Sequence, residues 1–169
     1  YLMGKDPFPL DLLFWDPDAT RIAAAMHMYY LRNMYQRNLL AKPGGLTIDN
    51  VPIDLRKISI PVYLQAGKED HIAPPKSVYK ATQIFSGPVR FMLAGSGHIA
   101  GVVNPAGKPK YQFWTNGPPK GDYDAWLANA TENAGSWWPY WFEWVERQDP
   151  ERVPAREPGA GKLPALCDA

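Results

Sequence analysis

Two short apolar runs in the middle of the chain form its clearest structural pattern. Residues 60–66 and 89–94 are nearly continuous stretches of aliphatic, aromatic and β-branched side chains. Such runs are typical of parallel strands that are buried on both faces of a sheet. Between them, Pro74 and Pro75 suit the start of a helix over residues 77–85. The order of strand, helix and strand predicts part of an α/β sheet, with parallel strands joined by a crossover helix.

The segment before these strands predicts one helix and one hairpin. Apolar residues at helical spacing begin after Asp18 or Thr20, either of which can cap a helix, and continue to a breaker at residues 42–45. The runs Leu46–Ile48 and Val51–Ile53 then flank an Asp-Asn turn pair, which is the pattern of a β-hairpin. The proline within the second run confines it to the edge of a sheet.

The segment after the strands predicts two further helices. Asp124 can cap a helix that ends by Gly135, and Ser136 can begin another that runs to about Arg147 with tryptophans on one face. Residues 149–169 contain four prolines among small and charged residues, a composition that predicts a disordered tail.

Composition and charge remove several classes of protein from consideration. Hydrophobic residues make up 46% and charged residues 21% of the chain, which is ordinary for a folded soluble domain. The formal net charge is +1, so the chain lacks the electrostatic footprint of a nucleic-acid-binding protein. No apolar stretch approaches the ~20 residues that a membrane-spanning helix needs, and the N-terminus lacks a signal-peptide pattern. We therefore expect a cytoplasmic protein.

The few cysteine and histidine residues argue against a metal site or a disulfide. Cys167 is the single cysteine, which excludes an internal disulfide. The three histidines, His27, His71 and His98, occur at no zinc-binding spacing. We therefore expect no bound metal.

Asp70 and His98 are the candidate catalytic residues. Each lies in a loop directly after one of the two predicted buried strands. Active groups in open α/β sheets collect at the carboxyl ends of strands, and α/β-hydrolases place the acid and the histidine of their triads in such loops. We expect the Asp70 carboxylate to lie within hydrogen-bonding reach of the His98 ring, with the other ring nitrogen facing a nucleophile. Spacing alone leaves open a merely solvated role for both side chains.

Other candidates for the base and the nucleophile are weaker. His71 adjoins Asp70 but precedes the crossover helix, and His27 lies within a predicted helix, where a packing role is more common. No G-x-S-x-G or G-x-C-x-G elbow occurs, Ser96 lacks a helix directly behind it, and Cys167 lies in the predicted tail. The chain also starts without an initiator methionine. Either the function is not covalent catalysis, or we expect the strand that carries the elbow to lie upstream.

A dense series of motifs resembles the class I polyhydroxyalkanoate synthases. The resemblance extends from about Leu10 to Arg147, and the motifs follow one another in the family's order. They are LLFW at residues 12–15, DAT at 18–20, YLRN at 30–33, EDHI at 69–72, GSGHIAGVVNP at 95–105, WTN at 114–116 and GSWWP at 135–139.

The resemblance implies a function and a domain organisation. It implies an α/β-hydrolase core with a cap, and a Cys-His-Asp triad in which Asp70 and His98 match the acid and the base. The implied reaction is growth of a polyester from (R)-3-hydroxyacyl-coenzyme A with release of coenzyme A. Coenzyme A is then a product carried in by the substrate, and the resemblance implies no resident cofactor. The implied enzyme is a homodimer at full length and works at granules in the cytoplasm. Residues 1–45 would belong to the cap, 46–148 to the C-terminal part of the core and 149–169 to the tail. Asp70 could orient His98 or assist the attacking 3-hydroxyl group.

Two alternatives stand beside this hypothesis. An esterase or polyester depolymerase could share the fold, with serine in place of cysteine at the elbow. A non-catalytic module could use its apolar and tryptophan-rich segments to bind a granule or a second protomer. Tryptophans at helical spacing are, however, more often packing residues.

Overall fold

The computed structural model describes residues 21–107, 110–157 and 159 of the chain. These residues form two compact units. The first contains the described residues up to Ile60 together with Ile84–Gly87. The second contains Pro61–Gln83 together with the described residues from Pro88 onwards.

The first unit consists of one helix and one hairpin. Helix α1 (Ala24–Tyr30) continues directly into a π-helical segment at Leu31–Gln36. Strands β1 (Leu46–Ile48) and β2 (Val51–Ile53) pair in antiparallel orientation. A 3₁₀ turn at Leu55–Lys57 follows the hairpin.

Both elements predicted for the first unit, the helix and the hairpin, are present, but the helix is shorter than predicted. The hairpin turn is formed by Asp49 and Asn50 with φ angles of 48° and 61°, the pair of left-handed residues that a type I′ turn requires. The predicted helix is present but ends before residue 42, because Asn38 takes up a left-handed conformation at φ 48°. Its predicted caps, Asp18 and Thr20, lie outside the described residues.

A four-stranded mixed sheet forms the centre of the second unit. Its strands, in chain order and in spatial order, are β3 (Val62–Gly67), β4 (Val89–Ala94), β5 (Gln112–Thr115) and β6 (Thr131–Ala134). Strands β3 and β4 are parallel, in register from Val62 opposite Val89 to Gly67 opposite Ala94. Strands β5 and β6 are added in antiparallel orientation. The parallel pairing of β3 and β4 confirms the prediction of two parallel strands at residues 60–66 and 89–94. The sheet with its helices is compatible with an α/β fold.

The prediction of a parallel sheet is wrong for strands β5 and β6. Each has four residues, and β6 has the sequence Thr-Glu-Asn-Ala, three residues of which are exposed. A short polar strand of this kind is held by its ladder to a neighbour rather than by burial of its own side chains. Its sequence therefore carries no strand pattern, and the segment before Gly135 is a strand where the end of a helix was predicted.

Short helices connect the strands and cover the sheet. Helix α2 begins at Pro75 as the proline pair predicts, and a 3₁₀ turn extends it. The elements are α2 (Pro75–Tyr79) with its 3₁₀ turn (Lys80–Gln83), α3 (Ala100–Val103), α4 (Tyr123–Ala128) and α5 (Trp138–Gln148).

Helix α4 begins at a different cap from the one predicted. The Oδ1 atom of Asp122 accepts the backbone N–H of Ala125 at 2.8 Å. The predicted cap, Asp124, instead forms an exposed ion pair with Lys76 at 2.6 Å. Both aspartates precede the same apolar face, so helical periodicity does not distinguish them.

Strand β4 lies at the centre of the core. Phe91 and Leu93 point into an apolar cluster on one face of the sheet, whereas Met92 and Ala94 point into a cluster on the other face. All four side chains are 1% exposed or less. Because the side chains on both faces of β4 are buried, the strand is held firmly in its place in the sheet. The loop that carries His98 therefore begins from one of the most deeply buried segments of the unit.

Candidate active site

Asp70 and His98 follow the two parallel strands β3 and β4. Because these strands are adjacent and parallel, their carboxyl ends meet at the same edge of the sheet. The Oδ2 atom of Asp70 lies 2.7 Å from the Nδ1 atom of His98, the distance of a charge-assisted hydrogen bond. The predicted juxtaposition of the two side chains is confirmed.

Backbone hydrogen bonds join the two loops beyond the ends of the strands. The N–H group of Lys68 donates to the carbonyl of Ala94 at 2.8 Å, and the N–H group of Glu69 donates to the carbonyl of Ser96 at 3.1 Å. The parallel ladder thus continues into the loops. This arrangement fixes the separation of the two catalytic candidates through their backbones.

Where the two loops meet, the backbone is tightly packed at Gly67 and strained at Ser96. A Cβ atom on Gly67 would lie 3.2 Å from both the Cβ of Asp70 and the carbonyl oxygen of Gly97, so only glycine fits easily. Ser96 has a φ of 72°, which costs a non-glycine residue roughly 1–2 kcal/mol. Strained backbone of this kind is typical of functional sites, where surrounding structure holds it in place.

The Asp70 carboxylate is held ionised by its hydrogen bonds. Its Oδ1 atom accepts the backbone N–H groups of Ile72 at 2.8 Å and Ala73 at 2.9 Å. Burial by itself raises the pKa of the Asp70 carboxyl. The hydrogen bonds from Ala73, from the His98 ring and from Ile72 outweigh burial, so that this pKa lies below its ordinary value. Asp70 is therefore a carboxylate at neutral pH.

The bond to Asp70 determines which nitrogen of His98 is free to react. A carboxylate only accepts hydrogen bonds, so Nδ1 carries the proton and Nε2 presents a lone pair in the neutral ring. The Asp70 side chain is 7% exposed and the His98 side chain 46% exposed. A buried acid behind a half-exposed imidazole is the arrangement of a general base and its orienting acid.

A cavity of about 150 Å³ lies beside the pair. The Nε2 amide nitrogen of Gln65 is buried near it, with no hydrogen-bond partner among the described residues. The one signal of Gln65 in the sequence is an amide side chain within an otherwise apolar strand, which is too weak to predict a site residue. The cavity is lined by Asp70 and His98 together with Gln65, Ala66, Gly67, Ala73, Val78 and Val102.

Of the other candidates from the sequence, the structure describes His71 and His27, and neither is hydrogen-bonded to the Asp70 carboxylate. His71 is exposed on the Asp70 loop, and His27 is exposed on α1 in the first unit. Cys167 lies outside the described residues. In the part of the chain that the structure describes, no three His, Cys, Asp or Glu side chains group so that they could hold a metal ion. None of the described helices has the length and apolar character needed to cross a membrane.

Comparison with known proteins relates the chain to one family. It is 55% identical over 170 residues to the poly(3-hydroxyalkanoate) polymerase of Methylorubrum extorquens and 53% identical over 169 residues to the poly(3-hydroxyalkanoate) polymerase subunit PhaC of Rhizobium etli, covering 100% of this chain in each case. It is 45% identical over 148 residues, 88% of this chain, to the corresponding subunit of Cupriavidus necator. The matches cover 28%, 26% and 25% of those proteins, so the chain spans about a quarter of their length. No protein-family model matches the chain.

Proposed function

Because the chain belongs by sequence to the poly(3-hydroxyalkanoate) polymerases, we propose that it carries the acid and the base of such a polymerase. In this proposal Asp70 and His98 serve a cysteine nucleophile that the remainder of a longer polypeptide supplies. The substrate is an (R)-3-hydroxyacyl-coenzyme A thioester. The observation that carries the proposal is the 2.7 Å hydrogen bond between Asp70 Oδ2 and His98 Nδ1 at the ends of parallel strands.

In the first step His98 acts as a general base. Its Nε2 atom accepts the proton of the cysteine thiol, and the thiolate attacks the thioester carbonyl. An acyl–cysteine thioester forms as the C–S bond to coenzyme A breaks, and the imidazolium returns the proton to the coenzyme A thiolate. Asp70 stabilises the imidazolium between the two proton transfers.

The same pair serves chain growth. His98 accepts the proton of a 3-hydroxyl group, whose oxygen attacks the acyl–cysteine thioester. An ester bond forms, the C–S bond to the cysteine breaks, and the cysteine thiolate recovers the proton. One coenzyme A leaves for each monomer added.

The hydrogen bonds of Asp70 support an orienting role over direct action on the substrate. Oδ2 faces the His98 ring, and Oδ1 already accepts two backbone N–H groups. With both oxygens engaged and the side chain largely buried, a substrate hydroxyl has little access to the carboxylate. Asp70 therefore acts in this proposal through His98.

The remaining features implied by the family are part of the same proposal. The ligands are the acyl-coenzyme A and the growing polyester, and no resident cofactor or metal takes part. The full-length enzyme is a homodimer at polyester granules in the cytoplasm. Residues 1–45 belong to its cap, 46–148 to its α/β-hydrolase core and 149–169 to a disordered tail. Fractionation of cells that produce the tagged full-length protein tests the granule location.

The reaction is tested on the full-length polymerase that contains this chain. Incubation with (R)-3-hydroxybutyryl-coenzyme A should release one coenzyme A for each monomer that enters insoluble polyester. Release of coenzyme A together with free 3-hydroxybutyrate, without polyester, would show a hydrolase instead.

A further inference from the structure

Helix α3 (Ala100–Val103) begins two residues after His98 and has four residues. So short a helix leaves most of its carbonyl groups without partners inside it. No backbone N–H group of the described residues donates to the carbonyls of Gly101 or Val102. The carbonyl of buried Gly101 therefore needs a donor from outside the helix, and the carbonyl of half-buried Val102 is open to one.

Two tryptophan side chains supply the missing donors. The Nε1 atom of Trp137 lies 3.1 Å from the carbonyl oxygens of both Gly101 and Val102. The Nε1 atom of Trp138 lies 3.1 Å from the carbonyl oxygen of Val102. Trp137 is 8% exposed, so its hydrogen bonds are shielded from competition by water.

Neighbouring residues connect the same two segments. The Oγ atom of Ser136 donates to the carbonyl of Asn104 at 2.6 Å, and the Nδ2 atom of Asn104 donates to the carbonyl of Gly135 at 3.2 Å. Ser136 and Asn104 are both buried. Residues 135–138 are thus hydrogen-bonded to the end of α3 at four successive positions.

Helix α3 also packs directly on the loop that carries His98. A Cβ atom on Gly101 would lie 2.0 Å from the carbonyl oxygen of Gly95, so the two backbones are in contact. Helix α3 therefore contacts both Gly95 and residues 135–138. His98 belongs to the short loop that joins Gly95 to α3, and both ends of this loop are held.

From this geometry we infer that Trp137 and Trp138 are positioning residues for His98, an inference that rests on the function proposed above. Their indole N–H groups hold α3 and thereby keep the His98 ring 2.7 Å from Asp70. Neither indole hydrogen-bonds to His98 or Asp70, so both act through the backbone. A role in packing alone would require the aromatic rings but no N–H donor. A substitution that keeps the ring and removes the N–H group therefore distinguishes positioning from packing.

The test replaces both indoles by phenylalanine in the full-length polymerase. Trp137→Phe with Trp138→Phe keeps two aromatic rings but removes all three N–H donations to α3. The kcat for coenzyme A release from (R)-3-hydroxybutyryl-coenzyme A should fall about 10- to 100-fold, while KM stays within about 2-fold, since the change misplaces a catalytic group and leaves substrate binding intact.

Trp141→Phe is the matched control. Its ring centroid lies 6.2 Å from that of Trp137 and 6.4 Å from that of Trp138, so it belongs to the same aromatic cluster. Within the described residues it donates no hydrogen bond to α3. Its kcat should remain near that of the wild type, with folding of every variant checked by circular dichroism.

A double-mutant cycle separates positioning from a general loss of structure. In a His98→Ala background, the two tryptophan substitutions should cause no further loss of residual turnover, because the residue that they position is gone. A further 10-fold loss in that background, or an unchanged kcat when His98 is present, overturns the inference. If His98→Ala alone keeps full activity, the proposed function fails instead. If the double variant does not fold, Trp138→Phe alone is judged by the same two criteria.

Discussion

The Asp70 carboxylate accepts three hydrogen bonds, one from the ring of His98 and two from the backbone of Ile72 and Ala73. The backbone donors hold the carboxylate in place, and the ring bond selects the tautomer of His98 that leaves Nε2 basic. Burial raises the pKa of Asp70, but the three bonds together lower it below its usual value. A single buried side chain therefore sets both the orientation and the tautomer of the proposed base.

Asp70→Asn should be among the most damaging changes at this site in the full-length enzyme. An amide places an NH₂ group either against the two backbone donors or against the Nδ1–H of His98, so at least one donor loses its acceptor. We expect kcat for coenzyme A release to fall about 10³- to 10⁴-fold. Asp124→Asn is the control, since that carboxylate is exposed and, among the described residues, forms an ion pair only with Lys76. An Asp70→Asn enzyme with half of the wild-type rate would contradict the assigned role.

The same carboxylate should contribute to stability in a pH-dependent way. Its folded-state pKa is lower than the value of about 3.9 for an unfolded aspartate. Its contribution to the free energy of unfolding is therefore fully present above about pH 4 and is lost as the pH falls through the lowered value. Thermal unfolding of wild type and Asp70→Asn from about pH 3 to pH 7 should show a difference that shrinks only at the acid end. A difference that does not vary with pH would exclude this linkage.

Among the elements, those predicted correctly carry their own local signal. Strands β3 and β4 are continuous apolar runs, and the β1–β2 hairpin has two turn residues that tolerate positive φ. Strand β6 carries no such signal because its ladder to β5 holds it. Strand β5 buries Phe113 and Trp114, but two apolar residues between Gln112 and Thr115 are too short a run to predict a strand. The change to π-helical geometry at Leu31–Gln36 and the choice of Asp122 over Asp124 as a cap likewise depend on context that periodicity does not contain.

The sequence predicts the part of the candidate site that follows from the order of the strands, which is the meeting of Asp70 and His98. Asp70 and His98 meet because parallel neighbours bring their ends together, which the sequence pattern already indicates. The bonds from Trp137 to helix α3 join residues 35 and 36 positions apart, and no local pattern specifies them. The sequence motif that contains Trp137 therefore indicated a family but not a contact.

Helix α3 should tolerate no side chain at Gly101. Because a Cβ atom there would lie 2.0 Å from the carbonyl oxygen of Gly95, Gly101→Ala forces the two backbones apart. We expect a loss of stability of about 1–3 kcal/mol and a fall in turnover as the His98 loop shifts. Gly107→Ala is the matched control, because a Cβ there meets no atom of the described residues within 4 Å. Equal melting temperatures and rates for the two variants would contradict this account of the packing.

For the whole molecule, the described residues hold only part of the proposed catalytic apparatus. Strand β3 is at one end of the described sheet, although its apolar composition is that of an interior strand. The chain also spans about a quarter of the length of its relatives. Both observations support the proposal that further strands of a longer polypeptide complete the sheet and supply the nucleophile.

The 169-residue chain by itself should therefore have no polymerase activity. It contains no nucleophile elbow, and with the elbow the oxyanion-hole amide is also missing. The purified chain, incubated with (R)-3-hydroxybutyryl-coenzyme A, should release no coenzyme A above the background of buffer alone. Release in proportion to the amount of chain would mean that a nucleophile lies within it.

The most direct test of the assigned base compares the three histidines in the full-length polymerase. His98→Ala should lower coenzyme A release about 10²- to 10⁴-fold, the usual contribution of a general base. His71→Ala and His27→Ala should keep most of the activity, since both side chains are exposed and neither is hydrogen-bonded to Asp70. A several-fold loss for His71→Ala is compatible with its place beside Asp70 in the chain. A folded His98→Ala enzyme with near-native rates, together with an inactive His71→Ala enzyme, would contradict the assignment of His98 as the base.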